Sequence, residues 1–191
     1  VELGHDVVVF APRNSTTSAE LHGTVDMSLA EADGADPRLW ETLHIATAIS
    51  QSIDRQLDVV HSHLHVHALG FGPLMTMPLV TTLHGSAWVK AHHPLLRAFR
   101  HVPFVSLSDS ERRFLPELNY VATVGNGIRL TDFPPGRGGE RLVFVGRLAP
   151  EKGPDLAVAA ARASGRDLVL AGVVETKYQD YFDSEVRPHL G

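Results

Sequence analysis

From residue 58 to residue 124 the chain alternates short, unbroken apolar runs with helical or polar stretches. That rhythm limits the fold more than any other feature. Asp58-Val59-Val60-His61, Leu79-Val80-Thr81-Thr82-Leu83, Phe104-Val105-Ser106-Leu107 and Tyr120-Val121-Ala122-Thr123-Val124 are the apolar runs. They are continuous rather than alternating, as expected of strands covered on both faces of a parallel sheet. Helical stretches over roughly 65–72, 92–100 and 110–118 separate them, the last entered at Ser108, Asp109 or Ser110 as N-cap. Upstream, Val7-Val8-Val9-Phe10 reads as another strand. Leu39, Leu43, Ala46, Ile49, Ile53 and Leu57 follow at helical spacing behind Asp36-Pro37, an N-cap and first-turn pair.

The segment Asp132-Phe133-Pro134-Pro135-Gly136-Arg137-Gly138-Gly139 breaks the rhythm and predicts a linker near 132–140. The alternation then restarts with a strand at Leu142-Val143-Phe144-Val145, a helix over 154–164 and a strand over 167–171. A final helix is expected over 177–191, with Pro188 near its end. The fold class is α/β: a Rossmann-like parallel-sheet domain over 1–135, then an incomplete second Rossmann-like domain over 136–191. Val1-Glu2-Leu3-Gly4-His5-Asp6 reads as a helix tail, a glycine stop and entry to a strand. No strand follows the last helix, so both ends read as cut and the chain as a fragment.

Composition removes several function classes. With 43% apolar and 20% charged residues the chain can bury a core. No apolar run approaches the ~18–20 residues of a membrane span. The absence of Cys excludes disulfides, thiolate metal sites and a cysteine nucleophile, and fits a cytoplasmic location. A net charge of −5 argues against a general nucleic-acid binder.

In open α/β sheets ligands bind beyond the carboxyl ends of the strands, so the residues following each strand are the informative ones. His84-Gly85 follows one strand: a hydrogen-bonding ring, then a position where a ligand can approach the backbone. The plainer reading of His84 is a cap on the strand end. Gly146-Arg147-Leu148-Ala149-Pro150-Glu151-Lys152-Gly153-Pro154 follows another and runs into a helix. Two cations there flank a turn at a helix N-terminus, which favours an anion, above all a phosphate. The chain has three Lys in all, so Lys152 does not belong to a lysine-rich surface. The alternative is a solvated turn with a local Arg147–Glu151 pair. Neither a Walker loop nor a Gly-x-Gly-x-x-Gly fingerprint is present. Gly125-Asn126-Gly127-Ile128 reads first as a tight turn with positive-φ positions, and second as amides lining a cleft.

Taken together and in order, these stretches resemble one family. Gly4-His5-Asp6-Val7, Asp58-Val59-Val60-His61-Ser62-His63, Thr82-Leu83-His84-Gly85 and Ser108-Asp109-Ser110 are similar to the N-terminal half of the retaining GT-B glycosyltransferases of family 4. Asn126-Gly127-Ile128 with Phe133 resembles the segment before that family's interdomain crossover. Phe144-Val145-Gly146-Arg147-Leu148, followed by Glu151-Lys152-Gly153, is close to its most recognisable signature, and Ala171-Gly172 ends the next strand as it does there. The resemblance implies transfer of a sugar from a nucleotide-sugar donor, with retention and without a metal, in a cleft between two Rossmann-like domains. Arg147, Lys152, Gly146 and Gly153 would form the donor diphosphate site. Arg147, Lys152 and His84 would serve catalysis, and Gly85, Asn126, Gly127 and His63 would line the cleft. No cofactor is implied beyond the donor substrate; the acceptor is an unspecified carbohydrate, lipid or small molecule. The family's first strand with its acceptor loop, and its downstream pair of glutamates, have no counterpart here. Glu175 and Glu185 fall too early to be that pair, so the fragment is expected to be inactive alone.

Three other readings compete. His61, His63, His65 and His67 suggest a metal-dependent hydrolase, since His61 and His63 at i and i+2 share a strand face. No nearby acid follows at ligand spacing, so the expected metal set is none. A non-catalytic nucleotide-binding or interaction module is the second. Third, residues 89–101 set Lys90, His92, His93, Arg97, Arg100 and His101 around Leu95, Leu96 and Phe99, which suggests a peripheral membrane contact at the inner face of the membrane.

Overall fold

The computed structural model describes residues 3–28, 36–64, 66–85 and 90–191. By its internal contacts the chain divides into Val1–Ile128 and Arg129–Gly191. The division falls a few residues ahead of the boundary expected at 135/136.

In the first unit, strands β3 (Val60–Ser62), β4 (Leu79–Thr82), β5 (Phe104–Ser106) and β6 (Tyr120–Thr123) form an all-parallel sheet in chain order. Ser62 lies opposite Thr81, Thr82 opposite Val105 and Ser106 opposite Thr123, so the carboxyl ends of all the strands share one edge. Every residue of β5 is buried and β4 nearly so, while β3 and β6 at the sides are partly exposed. Double-sided burial thus belongs to the two central strands only. Strands β1 (Val8–Phe10) and β2 (Glu20–His22) make a separate parallel pair. The strand β2 escapes sequence reading because Glu-Leu-His is too short to show a period.

The long helix α1 (Pro37–Asp54) begins as the sequence predicts, with the Asp36 carboxylate accepting the Arg38 N–H at 3.0 Å. It sends Ile45 and Ile49 into a core shared with Leu69, Leu79, Leu83, Leu96, Phe104, Leu115 and Leu118. Phe104 is fully buried at its centre, where truncation to Ala typically costs about 3–5 kcal/mol. Just past α1, the Arg55 guanidinium donates from both terminal nitrogens to Glu20, at 2.8 and 3.0 Å, tying the helix to the β1–β2 pair. Those bonds, with one from His22, hold the Glu20 carboxyl down at about 2.

Several expected elements differ. The helix expected over 65–72 is a 3-10 turn at Leu69–Leu74, because Gly70, Gly72 and Pro73 weaken α-helical bonding. The stretch 92–100 contains α2 at His93–Ala98. The stretch 110–118 keeps only α3 at Asp109–Arg112, capped by Ser108, since the Pro116 ring cannot coexist with a helical carbonyl at Arg112. Gly125-Asn126-Gly127 is not a tight turn: none of the three has positive φ, and the segment is exposed coil. Val124 still donates to Ser106 O at 2.8 Å, after which the chain leaves the sheet. Asn-Gly permits left-handed backbone but does not impose it.

In the second unit β7 (Leu142–Val145) and β8 (Leu168–Ala171) pair in parallel around α4 (Pro154–Ser164), which ends at Gly165 in the left-handed conformation. The helix packs Val158 and Ala161 inward. On the other side of this sheet Val143 and Val145 are 64% and 80% exposed. The expected helix over 177–191 is broken into 3-10 turns at Thr176–Tyr178 and Arg187–His189 around a short α turn at Gln179–Tyr181 and a wider π turn at Phe182–Val186. Pro188 supplies no N–H to close a regular last turn, which accounts for the break there.

The ends of β7 and β8 approach so closely that a Cβ on Gly172 would overlap the Gly146 carbonyl oxygen. Gly172→Ala is expected to lower stability by about 1–3 kcal/mol, as overpacking does. Gly127→Ala, whose Cβ meets open space, is the control. Thermal unfolding midpoints measure both, and equal midpoints would contradict the close approach.

Candidate functional site

The carboxyl edge of the first unit's sheet carries a chain of polar side chains. His61 Nε2 lies 2.7 Å from Thr82 Oγ1, linking the ends of β3 and β4. His63 Nδ1 lies 2.9 Å from His84 Nε2. The His61 and His63 rings are 4.5 Å apart, and those of His63 and His84 are 5.2 Å apart. The shared strand face predicted for His61 and His63 therefore exists, and it faces His84. Loss of water around both rings, and then the charges of neighbouring imidazoles, push His61 and His63 below the ordinary histidine value. Beyond His84, Gly85 takes a φ of +125°, where a side chain would be strained. Its N–H donates to Glu111 Oε1 at 2.7 Å, and the Leu107 N–H donates to Glu111 Oε2 at 2.8 Å.

Of the described histidines in the run, His61 and His63 stand together and His67 stands apart. His67 turns to Glu41 on α1, with Nδ1 3.0 Å from Oε2. His65 lies outside the described residues. Among the described residues no group of three or more His, Asp or Glu is placed to hold a metal ion. Asn126 and Gly127 are exposed and make no turn.

In the second unit the turn after β7 runs through a 3-10 element at Pro150–Lys152 to Gly153, whose left-handed backbone (φ 69°) starts α4. The Arg147 Nη1 donates to Glu175 Oε1 at 2.8 Å and its Nη2 to Glu151 Oε1 at 3.1 Å. Glu175 also meets Lys177 Nζ at 2.9 Å. These contacts hold the Glu175 carboxyl below its usual range and raise Arg147 further. The local Arg147–Glu151 pair is thus present, and Glu175 joins it from beyond β8. Among the described residues no carboxylate pairs with the Lys152 ammonium. The helix entrance is already served by an internal anion. Asp155 accepts from the Tyr181 hydroxyl at 2.6 Å and from the amides of Leu156 and Asp155, which lower its pKa. The electrostatic case for an anion therefore rests on the cations more than on open helix amides.

Residues 90–101 place their apolar side in the core rather than in solvent. Leu96 is 1% exposed and Phe99 packs against the cluster, leaving Leu95 outside. Arg97 donates to Glu117 at 2.7 Å and Lys90 lies over the Phe114 ring. Val89 lies outside the described residues. No described helix is long and apolar enough to cross a membrane.

Sequence reasoning missed Glu111 and Glu175. Ser108-x-x-Glu111 carries the signal of a capping box, which reads Glu111 as local; its reach to Gly85 has no sequence signature.

The depressed histidines give a pH dependence with a definite sign. Unfolded His titrates near ~6.5. Between pH 7.5 and about 5.5 the unfolded chain therefore takes up protons that native His61 and His63, and the partly buried His44, resist. Stability is full above the unfolded value and falls as pH drops through it. The melting temperature is expected to be lower at pH 5.5 than at pH 7.5, with a smaller drop in His63→Asn; no drop in the parent protein would contradict the arrangement.

Comparison with curated proteins returns no match. Residues 1–132, well over half of the chain, match the family described as Glycosyltransferase Family 4. The parallel α/β sheets fit the Rossmann-like fold of such enzymes, and the family makes the protein a transferase with a sugar donor and an acceptor. The chain belongs to glycosyltransferase family 4.

Proposed function

We propose that the protein moves a hexosyl group from a nucleotide-sugar to an acceptor hydroxyl, with retention at the anomeric carbon and without a metal ion. The reading takes the GT-B arrangement, with residues 1–135 on the acceptor side and 136–191 opening the donor domain. Family membership supports glycosyl transfer in general. The donor assignment is carried by the turn from Gly146 to Gly153, where a forked guanidinium and an ammonium with no carboxylate partner among the described residues stand between a strand end and a helix entrance.

When the bond from the anomeric carbon to the donor diphosphate breaks, its electron pair stays with the diphosphate oxygen. Arg147 can take two phosphate oxygens with parallel bonds and Lys152 adds a point charge, so the developing charge is met by cations fixed in advance. The acceptor oxygen bonds to the carbon on the face the diphosphate leaves, and its proton departs with the diphosphate. His84, held by His63, offers a hydrogen bond to the sugar or the acceptor. Gly146 and Gly153 shape the turn, with Gly153 in backbone that only glycine adopts without strain.

The test is a panel of nucleotide-sugars assayed by nucleotide release, on the protein expressed from its full reading frame. Arg147→Ala and Lys152→Ala are each expected to lower kcat by about 10²-fold, the usual loss for one charge-stabilising donor. Turnover is expected to survive EDTA. Unchanged kcat in both variants would overturn the diphosphate assignment, and loss of activity in EDTA would overturn metal independence.

A further inference from the structure

Among the described residues Glu111 is the one charged side chain in the buried set, at 3% exposure. A carboxylate in such a place needs strong hydrogen bonds, and Glu111 has them from two backbone amides that no strand ladder serves: Gly85, beyond β4, and Leu107, beyond β5. Its helix does not require this. The Ser108 hydroxyl already accepts the Glu111 N–H at 3.3 Å, and the Glu of a capping box would bond back to the N-cap amide rather than reach another strand. An apolar residue at this position would leave both amides without an acceptor, so Glu111 orders two loop segments at once rather than only its own helix.

The segment it holds is the one that carries His84. Contacts on several sides hold that segment. Leu83 N–H bonds Val105 O at 2.9 Å on the strand side. His63 meets the ring at 2.9 Å, and Glu111 takes the next amide along. Gly85 adopts a φ of +125°, a backbone conformation that few residues other than glycine take, and the Glu111 bond fixes the amide of that residue. We propose that Glu111 is a positioning residue of the reaction centre: its two oxygens tie the His84–Gly85 segment to the Leu107 end of β5 and thereby aim the His84 ring. The inference rests on the reading of His84 as a group that meets the sugar or the acceptor.

The test compares Glu111→Leu, which keeps approximate shape and loses both acceptors, Glu111→Gln, which keeps one oxygen, and His84→Ala. Amide hydrogen exchange at Gly85 and Leu107 is read by NMR, and kcat and donor KM by nucleotide release on the protein from its full reading frame. Glu111→Leu is expected to raise exchange at both amides and to lower kcat by roughly 10–100-fold with donor KM within about 2-fold, the scale of a lost buried hydrogen bond. Glu111→Gln is expected to fall between Leu and the parent on both readings. If the Leu variant does not fold, Glu111→Gln decides: faster exchange with a lower kcat at unchanged donor KM supports the role. Faster exchange with parental kcat overturns it and leaves Glu111 as a structural tie. A loss confined to donor KM, or exchange unchanged in both variants, overturns it as well. His84→Ala with parental kcat removes the underlying reading of His84. His84→Ala with low kcat, beside Glu111 variants at parental kcat, removes only the role given to Glu111.

Discussion

The two-sided burial of β4 and β5 is the constraint on which the first unit depends. Phe104, Leu79 and Leu83 are buried in the core cluster that α1 joins through Ile45 and Ile49. Parallel pairing in chain order then puts every strand's carboxyl end on the same edge. At that edge the ladder stops while the chain is still partly covered, so amides and carbonyls there must find partners outside the sheet. Glu111 meets the requirement for the Gly85 and Leu107 amides, and the polar side chains at the same edge pair with one another, Thr82 with His61 and Ser106 with Thr123. The polar groups that read as chemistry stand where backbone hydrogen bonding runs out.

Much of this architecture is written in local sequence. The apolar runs at 79–83, 104–107 and 142–145 each contain the observed strand and the run at 58–61 overlaps β3, and for β4 and β5 the reason is burial on both faces, which favours a continuous apolar run. The helix at Pro154–Ser164 and the start of α1 follow from Pro, Asp and Gly punctuation. The failures are equally physical. Pro116 and Pro188 shorten or distort helices whose apolar spacing alone would carry them further. Glu20-Leu21-His22 becomes a strand only because Val8-Val9-Phe10 lies beside it. Site residues divide the same way. Arg147 and Lys152 stand in a readable turn, whereas their surroundings come from elsewhere: Glu175 lies 28 residues from Arg147, and Glu111 lies 26 from Gly85. Spacing within a motif shows which groups are present; tertiary contacts decide what holds them.

The two units use one alternation of strand and helix to different effect. In Val1–Ile128 the central strands are enclosed, whereas β7 and β8 in Arg129–Gly191 alternate between covered and open faces. The family match ends at residue 132, close to the break between units. What family membership says of this protein is therefore said mainly of the enclosed sheet. The phosphate reading depends on the physical chemistry of the turn that follows β7.

That turn holds its guanidinium between two carboxylates, and this changes what binding there means. At the proposed site, an anion arriving at Arg147 would compete with Glu151 and Glu175 for the guanidinium. A ligand with a single diffuse negative charge offers no more than those carboxylates already give, so such a trade is close to neutral. A ligand with two or more charges and several oxygens on one face gains from Arg147 and Lys152 together. Once displaced, Glu175 still has Lys177 at 2.9 Å to receive it. For the proposed diphosphate site, the acidic neighbours would act as a threshold, turning away weak monoanions while costing a densely charged ligand little.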